Sequence, residues 1–346
     1  MNVLFFGNIG VLARRGQPGP STIVRCLNVC TELRKANVNG KVVYNYINRL
    51  GANINAVRQS DIVVFHRIQT PFNKIPQPPL EPVLMLESKA SGKPCGFDFD
   101  DSIFLTHPLV TEFLIAKSNF VMAGSHFLFD YAKRWNKTVY LVPSAVDTQL
   151  FRPRVRRRSP SGIVLGWHGS ARVQFEYLKL LKPILSRLAR KYDITFQLLG
   201  SLGAPKIQKY FSSIPGLRTE FGPDSWIPYE TLPHLLANVD IGISPMPTST
   251  WAAGKCGMKA LEYMAMEIPV VASAVGEHNY IIQDGTTGLL ARDNSEWEEK
   301  LAWLIEDTRF RQEIARKGRM LVEKRYALKA VTKTVKSILE LFNDST

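Results

Sequence analysis

Short apolar runs alternate with longer amphipathic segments along the whole chain, which is the pattern of a parallel sheet covered by helices. In the first half, the runs that predict strands are residues 3–6, 41–44, 61–65, 83–86, 120–123 and 139–142. Residues 21–34 predict a helix, with Ile23, Leu27, Cys30 and Leu33 on one face and Ser21 as its N-cap. This series predicts one doubly wound domain.

A second series of the same kind follows a Pro- and Arg-rich stretch, residues 151–162, which lacks periodicity and is typical of a linker. Its predicted strands are residues 163–166, 195–200, 241–244 and 269–273, its predicted helices are residues 176–192, 228–237 and 257–266, and the amphipathic residues 301–342 supply closing helices. The expected domains are therefore residues 1–150 and 163–325, with residues 326–346 as a C-terminal helix that is a candidate to pack back on the first domain.

Composition narrows the class of protein. The chain has 346 residues, 45% of them apolar, and its longest apolar runs fall well short of a membrane span, so a cytoplasmic protein is expected. The four cysteines have no CxxC pairing and no histidine at zinc-finger spacing, which indicates reduced thiols without a structural metal. A net charge of +14 favours an anionic partner, and charge alone leaves open a membrane surface, a nucleic acid or a phosphorylated substrate.

Residues 240–291 carry the strongest chemical signal, because two apolar strands are each followed by a glycine-containing loop. This arrangement predicts a site for a nucleotide or a phosphorylated sugar. A dehydrogenase fits less well, because the motif from Gly7 to Gly10 lacks a third glycine and the second strand ends in Asn45 rather than an acidic residue.

Five segments resemble the retaining glycosyltransferases of family 4, the glycosyl transferases group 1, in the order in which that family has them. They are DIVVFHR (61–67), LVPSAVDTQLF (141–151), GWHGS (166–170), GKCGMKALEYMAMEIPVVAS (254–273) and DGTTGLLA (284–291). The resemblance implies an α/β protein of the GT-B fold, with two facing Rossmann-like doubly wound domains and a cleft between them.

The same resemblance implies a donor site for a UDP- or GDP-sugar. Glu262 falls on the second Glu of the family's E-x7-E pattern, where its carboxylate would accept hydrogen bonds from ribose hydroxyls, whereas Gly254 stands at the first. Lys255 and Lys259 flank a predicted helix start near Gly257, which favours a diphosphate. The other donor-site candidates are the close-approach loop Gly169 and Ser170, the cation Arg172 and the base contact Ile227.

The acceptor candidates lie at strand ends of the first domain. His66 ends a predicted strand, at a position where the family often has a histidine beside the transferred sugar. A lone histidine, however, is more often structural. Arg67 follows it and is a candidate contact for phosphate or acceptor. The FDFDDS segment (97–102) fits a DxD metal motif, a phosphatase motif or an acceptor-binding strand end, and we favour the third, with Asp100 and Asp101 binding hydroxyls. The catalytic candidates are thus His66, Asp100 and Lys255.

The resemblance implies sugar transfer to an acceptor hydroxyl with retention, in glycan, glycolipid or polysaccharide synthesis, without a metal or a cofactor. The leaving diphosphate would take the acceptor proton, so that the protein supplies positioning and electrostatics. The basic charge suits a peripheral enzyme with a lipid-linked acceptor at an anionic membrane, and on charge alone a nucleic acid equally well. A non-catalytic sugar-binding or scaffold protein is the remaining alternative, because the first Glu of the pattern is missing.

Overall fold

Each half of the chain builds a six-stranded parallel sheet. The computed structural model describes residues 1–8, 17–44, 49–68, 79–154 and 162–344. The chain divides into unit 1 (Met1–Ala145, Ala253–Cys256 and Tyr326–Thr346) and unit 2 (Val146–Ala252 and Gly257–Arg325). Gly10, Asn45 and residues 155–161 of the predicted linker lie outside the described residues.

The strand order is β2-β1-β3-β4-β5-β6 in unit 1 and β12-β11-β10-β7-β8-β9 in unit 2. The strands are β1 (Asn2–Phe6), β2 (Asn39–Val43), β3 (Ile62–His66), β4 (Cys95–Phe99), β5 (Phe120–Ala123), β6 (Val139–Leu141), β7 (Ile163–His168), β8 (Ile194–Leu199), β9 (Arg218–Phe221), β10 (Ile241–Ser244), β11 (Val270–Ser273) and β12 (Leu289–Ala291). Because neighbouring strands are parallel, their carboxyl ends share one edge of each sheet, where open α/β sheets bind ligands.

Helices connect the strands and cover the sheets. They are α1 (Pro20–Thr22), α2 (Asn28–Lys35), α3 (Leu50–Arg58), α4 (Leu80–Ala90), α5 (Pro108–Lys117), α6 (His126–Lys133), α7 (Phe175–Lys179), α8 (Leu181–Leu188), α9 (Pro205–Ser212), α10 (Leu232–Leu236), α11 (Thr250–Ala253), α12 (Met258–Ala265), α13 (His278–Ile281), α14 (Asn294–Glu306), α15 (Thr308–Arg325) and α16 (Leu328–Asn343). A π-helical turn, Ile23–Leu27, joins α1 to α2, and 3-10 turns occur at Ile103–Leu105 and Tyr229–Thr231.

Both faces of the unit 1 sheet are buried, which explains its nearly continuous apolar strands. Leu4 and Phe6 of β1 contribute to the core on one face, and Val3 and Phe5 to the core on the other. The second face is covered by α2 and by α16, which contributes the buried side chains Val331, Val335, Ile338 and Leu339. In unit 2, one core joins the sheet to its helices through large side chains that include Trp167, Phe196, Phe211 and Trp297.

The two predicted Rossmann-like sheets are confirmed, with one strand misplaced. Residues 83–86 form part of α4 rather than a strand, with Leu84 and Met85 buried and Val83 and Leu86 exposed. An apolar run of four residues does not distinguish a strand from one turn of a buried helix. The strand that belongs at this point is β4, and β9 and β12 were also not predicted.

The first helix differs from its prediction because of the π-helical turn. Cys30 and Leu33 are buried as predicted, whereas Ile23 and Leu27 are only half-buried and Cys26 is buried instead. A π turn spaces its hydrogen bonds one residue wider than an α turn and therefore rotates the buried face. Ser21 is not the N-cap: Gly19 occupies that position without a side-chain cap.

Candidate functional site

Unit 1 gathers charged side chains where β3 and β4 end. The two strands are neighbours, with His66 of β3 opposite Asp98 of β4. Arg67 follows β3 with a φ of 60°, a left-handed conformation that is unusual for a residue other than glycine, and its N–H donates to the carbonyl of Asp98 at 2.9 Å. Strained backbone of this kind is enriched at functional sites, although Asn37, Leu202 and Glu267 also have a positive φ here.

Asp98 is the buried centre of this cluster. Nε of Arg25 donates to its Oδ2 at 2.8 Å, and a second bond joins Nη2 of Arg25 to Oδ1. Nδ1 of His66 lies 2.7 Å from the same Oδ2. The Arg25 guanidinium also donates to the carbonyl of Val142 at 2.9 Å. Although burial raises the pKa of Asp98, Arg25 and His66 outweigh it, and the net pKa is lowered.

A second set of ion pairs surrounds Asp100 and Asp101. Nε of Arg67 donates to Oδ1 of Asp100, and Nη2 of Arg67 lies 2.7 Å from Oδ2 of Asp101. Nζ of Lys255 lies 2.6 Å from Oδ1 of Asp101. Burial raises the pKa of Asp100, but the lowering by Arg67 and by His66 is larger. The net pKa is therefore below its ordinary value, and the carboxylate stays ionised. Lys255, predicted to hold a donor diphosphate, therefore lies with the acidic side chains of unit 1.

Gly254 packs closely against the end of β4. A Cβ atom at Gly254 would lie 2.1 Å from Oγ of Ser102 and 3.1 Å from its backbone nitrogen. The position has no room for a side chain unless Ser102 moves, so this structure would not accept a Glu at position 254 without a local change.

In unit 2, β7 ends at His168 and is followed by a tight loop. Gly169 has a φ of 140°, and a Cβ atom there would lie 2.9 Å from Cε of Lys259. Oγ of Ser170 is buried and makes no hydrogen bond within the described chain. Arg172 is exposed and donates to the carbonyl of Leu202 at 3.0 Å, and Ile227 is half-buried in the segment before the 3-10 turn.

Helix α12 brings the predicted donor-site residues together. It starts after Gly257, whose φ of 64° is left-handed and favours glycine. Nζ of Lys259 donates to Oε1 of Gln174 at 2.8 Å and lies 5.3 Å from the centre of the Trp167 ring. One turn later Glu262 is buried, with Oε2 3.2 Å from Nε2 of His168.

Glu262 and His168 are both shifted toward their neutral forms. Burial raises the pKa of Glu262 to about 8 against a smaller opposing effect of Lys259. Burial, assisted by Lys259, lowers the pKa of His168 to about 3. Because both groups are mainly neutral near pH 7, we interpret their 3.2 Å approach as a contact between neutral groups rather than as a salt bridge.

The structure thus places the predicted residues in two groups. His66, Arg67, Asp100, Asp101 and Lys255 lie together in unit 1, and Gly169, Ser170, Lys259 and Glu262 lie around the start of α12 in unit 2. The sequence prediction missed Arg25, Ser21 and His168. His168 had a usable signal, since it ends a buried strand just as His66 does.

The DxD interpretation of Asp98 and Asp100 gains no support from this geometry. Their carboxylates already bind the guanidinium groups of Arg25 and Arg67. Among the residues that the structure describes, there is no group of three or more His, Cys, Asp or Glu side chains suited to a metal ion.

In the same part of the chain, no helix has both the length and the apolar character needed to cross a bilayer.

Comparison with known proteins shows what the second half of the chain is similar to. Residues 162–307 match the family model for glycosyl transferases group 1. Trehalose synthase of Pyrococcus horikoshii is 24% identical over 252 residues, covering 63% of this chain and 59% of that protein. D-inositol 3-phosphate glycosyltransferase of Paenarthrobacter aurescens is 28% identical over 189 residues, covering 51% of this chain and 45% of that protein. The chain thus spans only about half of these relatives.

Solved structures share the whole architecture. HepE of Anabaena, solved in complex with UDP and glucose, has a TM-score of 0.72 at 15% identity, covering 98% of this chain and 99% of that one. Sucrose-phosphate synthase of Thermosynechococcus elongatus has a TM-score of 0.75 at 13% identity, with 100% of both chains covered. At these identities the similarity shows the fold, and it confirms the predicted two-domain GT-B type.

Proposed function

We propose that this chain is a retaining glycosyltransferase that moves a sugar from a UDP- or GDP-sugar to an acceptor hydroxyl. The observation that carries the proposal is helix α12, which starts after the left-handed Gly257 and brings Lys259 to the Gly169 loop and the buried Glu262 to His168 at the end of β7. The match of residues 162–307 to glycosyl transferases group 1 supports the same conclusion.

Unit 2 would hold the donor. The first N–H groups of a helix lack partners within the helix and attract anions, so the start of α12 together with Lys259 suits a diphosphate. Glu262 would accept hydrogen bonds from the ribose hydroxyls, and these bonds would favour its ionised form. The UDP and UDP-glucose complexes of HepE support a nucleotide sugar as the donor class.

Unit 1 would hold the acceptor. Asp100 and Asp101 are fixed by Arg67 and Lys255, so their remaining lone pairs are oriented for acceptor hydroxyls. In the proposed reaction the bond between the anomeric carbon and the diphosphate breaks, the acceptor oxygen bonds to that carbon on the same face, and the departing diphosphate takes the acceptor proton. We propose a cytoplasmic enzyme, and its +14 charge would suit a lipid-linked acceptor at an anionic membrane.

The test is thermal stabilisation by UDP, GDP, ADP and CMP, each with and without EDTA, for the natural chain, Glu262→Ala and the control Glu299→Ala. Glu299 is an exposed residue of α14 in the same unit. A ligand at about 100 times its dissociation constant stabilises the folded state by about 2.7 kcal/mol. We expect one diphosphate to stabilise the natural chain and the control, but Glu262→Ala much less, regardless of EDTA.

Donor turnover completes the test, by release of the free nucleoside diphosphate and by NMR of the anomeric product. Stabilisation that disappears with EDTA would contradict the metal-free site. Absence of both stabilisation and turnover with every nucleotide would favour a non-catalytic sugar-binding or scaffold protein. Equal binding by Glu262→Ala would refute the role assigned to Glu262.

A further inference from the structure

Ser21 is the half-buried end of a hydrogen-bonded chain that begins at buried Arg25. Arg25 and His66 both bond Oδ2 of Asp98, at 2.8 and 2.7 Å. Nε2 of His66 lies 2.6 Å from Oγ of Ser21. The His66 side chain is 0% exposed with both ring nitrogens engaged, whereas Ser21 is half-buried. Ser21 is therefore the more exposed of the two residues.

The same hydroxyl also contacts Asp100. Oγ of Ser21 lies 2.8 Å from Oδ2 and 3.0 Å from Oδ1 of that carboxylate, which is itself 4.0 Å from Nε2 of His66. Ser21 thus bridges two groups that are too far apart to bond each other directly.

The available donors and acceptors fix where protons reside. The ionised Asp98 carboxylate only accepts, so Nδ1 of His66 carries a proton. The Ser21 hydroxyl has one proton, and its Oγ lies within hydrogen-bond distance of both Nε2 of His66 and the Asp100 carboxylate. In the neutral ring that proton is directed either to Nε2 or to Asp100, so one of the two contacts has no proton. When Nε2 is also protonated, Nε2–H donates to Oγ and the hydroxyl donates to Asp100, so both contacts are hydrogen bonds.

We propose that Ser21 contacts the reacting acceptor hydroxyl in this site, beside the carboxylates of Asp100 and Asp101, and that His66 is a positioning residue that acts through Ser21. The proposal rests on the proposed function, in which unit 1 binds the acceptor. In this proposal the acceptor is contacted by the Ser21 hydroxyl and not directly by His66. His66 and Asp100 together determine the direction in which that hydroxyl donates its proton.

Asp98, His66 and Ser21 are also hydrogen-bonded in the order of the Asp–His–Ser triad of a hydrolase. The position of Asp100 argues against a nucleophilic serine. A carboxylate 2.8 Å from Oγ disfavours the negative charge of an attacking alkoxide. The hydroxyl is therefore suited to hydrogen bonding rather than to forming a covalent intermediate.

The local sequence accounts for this placement. Ser21 and Arg25 are four residues apart, so they share a helix face and both reach the strand ends of the sheet. The other charged groups near the ring are Arg67 after β3 and the pair Asp101 and Lys255 beyond Asp100. Among the described residues, the thiol of Cys26 also lies near these carboxylates, and Sγ of Cys256 donates to the backbone carbonyl of Asp100 at 3.2 Å.

The test compares Ser21→Ala, Ser21→Thr and the control Ser91→Ala, which removes another serine–carboxylate hydrogen bond in unit 1, from Ser91 to Glu87 at 3.1 Å. The first readout is the ¹⁵N NMR signal of the His66 ring. We expect Ser21→Ala to change the Nε2 signal, while Ser21→Thr and Ser91→Ala keep the natural values.

The second readout is the pH profile of sugar transfer. We expect Ser21→Ala to lower kcat about tenfold or more and to shift the profile with the KM for donor unchanged, while Ser21→Thr recovers most of kcat. An unchanged His66 signal in Ser21→Ala, or an unchanged kcat and profile, would overturn the proposal. So would covalent labelling of Ser21 by a fluorophosphonate probe, since it would show a nucleophile.

The proposed function and the proposed role of Ser21 can be refuted independently of each other. Absence of transfer by the natural chain would refute the proposed function. The link between Ser21 and His66 would still be decided by the NMR signals, which require no substrate.

Discussion

The two units place ionisable side chains at the same edge of their sheets but treat charge in opposite ways. In unit 1, Asp98 and Asp100 are each bound to a guanidinium group and their pKa values are lowered. In unit 2, Glu262 is buried and burial outweighs the opposing effect of Lys259, so that the pKa of Glu262 is raised to about 8. The carboxylates of unit 1 are thus held in the ionised form by their cations, whereas burial in unit 2 favours the neutral form of Glu262.

The largest expected effect concerns unit 1, where Asp98 is paired with the buried Arg25 guanidinium. Asp98→Asn leaves the Arg25 guanidinium buried without its counter-charge, which costs about 3–5 kcal/mol in comparable buried pairs. We expect a loss of that size in the free energy of unfolding, measured by urea denaturation, with hydrogen exchange of β4 amides assigning the loss to unit 1.

The matched change Asp130→Asn removes an exposed carboxylate of α6 in the same unit and should leave stability nearly unchanged. A loss below about 1 kcal/mol in Asp98→Asn would mean that the Arg25 ion pair is not a stabilising centre of unit 1.

A smaller change in stability, of opposite sign, is expected for Glu262 of unit 2. The pKa of Glu262 is higher in the folded state, about 8, than its ordinary value of 4.5, so stability is fully present below pH 4.5 and is lost as pH rises toward 8. Glu262→Gln cannot ionise and should be more stable than the natural chain by about 1–3 kcal/mol at pH 8.5, with little difference at pH 5.

Thermal unfolding at the two pH values measures this difference without any ligand. The control Glu299→Gln should show no pH-dependent difference from the natural chain. A Glu262→Gln variant that is less stable at pH 8.5 would show that the buried carboxylate is satisfied after all.

Effects of similar or smaller size concern two glycines of unit 1. Gly254→Ala brings a Cβ atom to 2.1 Å from Oγ of Ser102 and should destabilise the chain by about 1–3 kcal/mol. Gly51→Ala in α3 meets nothing within 4 Å and should instead stabilise it by about 0.5–1 kcal/mol.

Urea denaturation of the two variants side by side tests this pair. Equal stabilities would show that Ser102 moves aside easily and that sterics do not explain the glycine at position 254.

The sequence predicted most strands because a buried parallel strand has a local apolar signature. It also placed Glu262 and Lys259 on one helix and His66 and Asp100 at strand ends, because those positions follow from element boundaries. It could not identify the role of Arg25, since its partner Asp98 is 73 residues away. Ser21 was misread for a related reason: a serine near a helix start predicts a cap, but the contact with His66 is tertiary and overrides that local preference.

The C-terminal helix α16 has a consequence for biosynthesis. Unit 1 begins with the first residues of the chain, yet one face of its sheet is covered by Val331, Val335 and Ile338, and Phe342 stacks on Phe120 at 4.6 Å. Every residue of unit 2 is therefore synthesised before unit 1 receives its last helix. A nascent chain must keep that apolar face unpaired until then, which makes it the surface at which chaperones and proteases would recognise a ribosome-bound or truncated product.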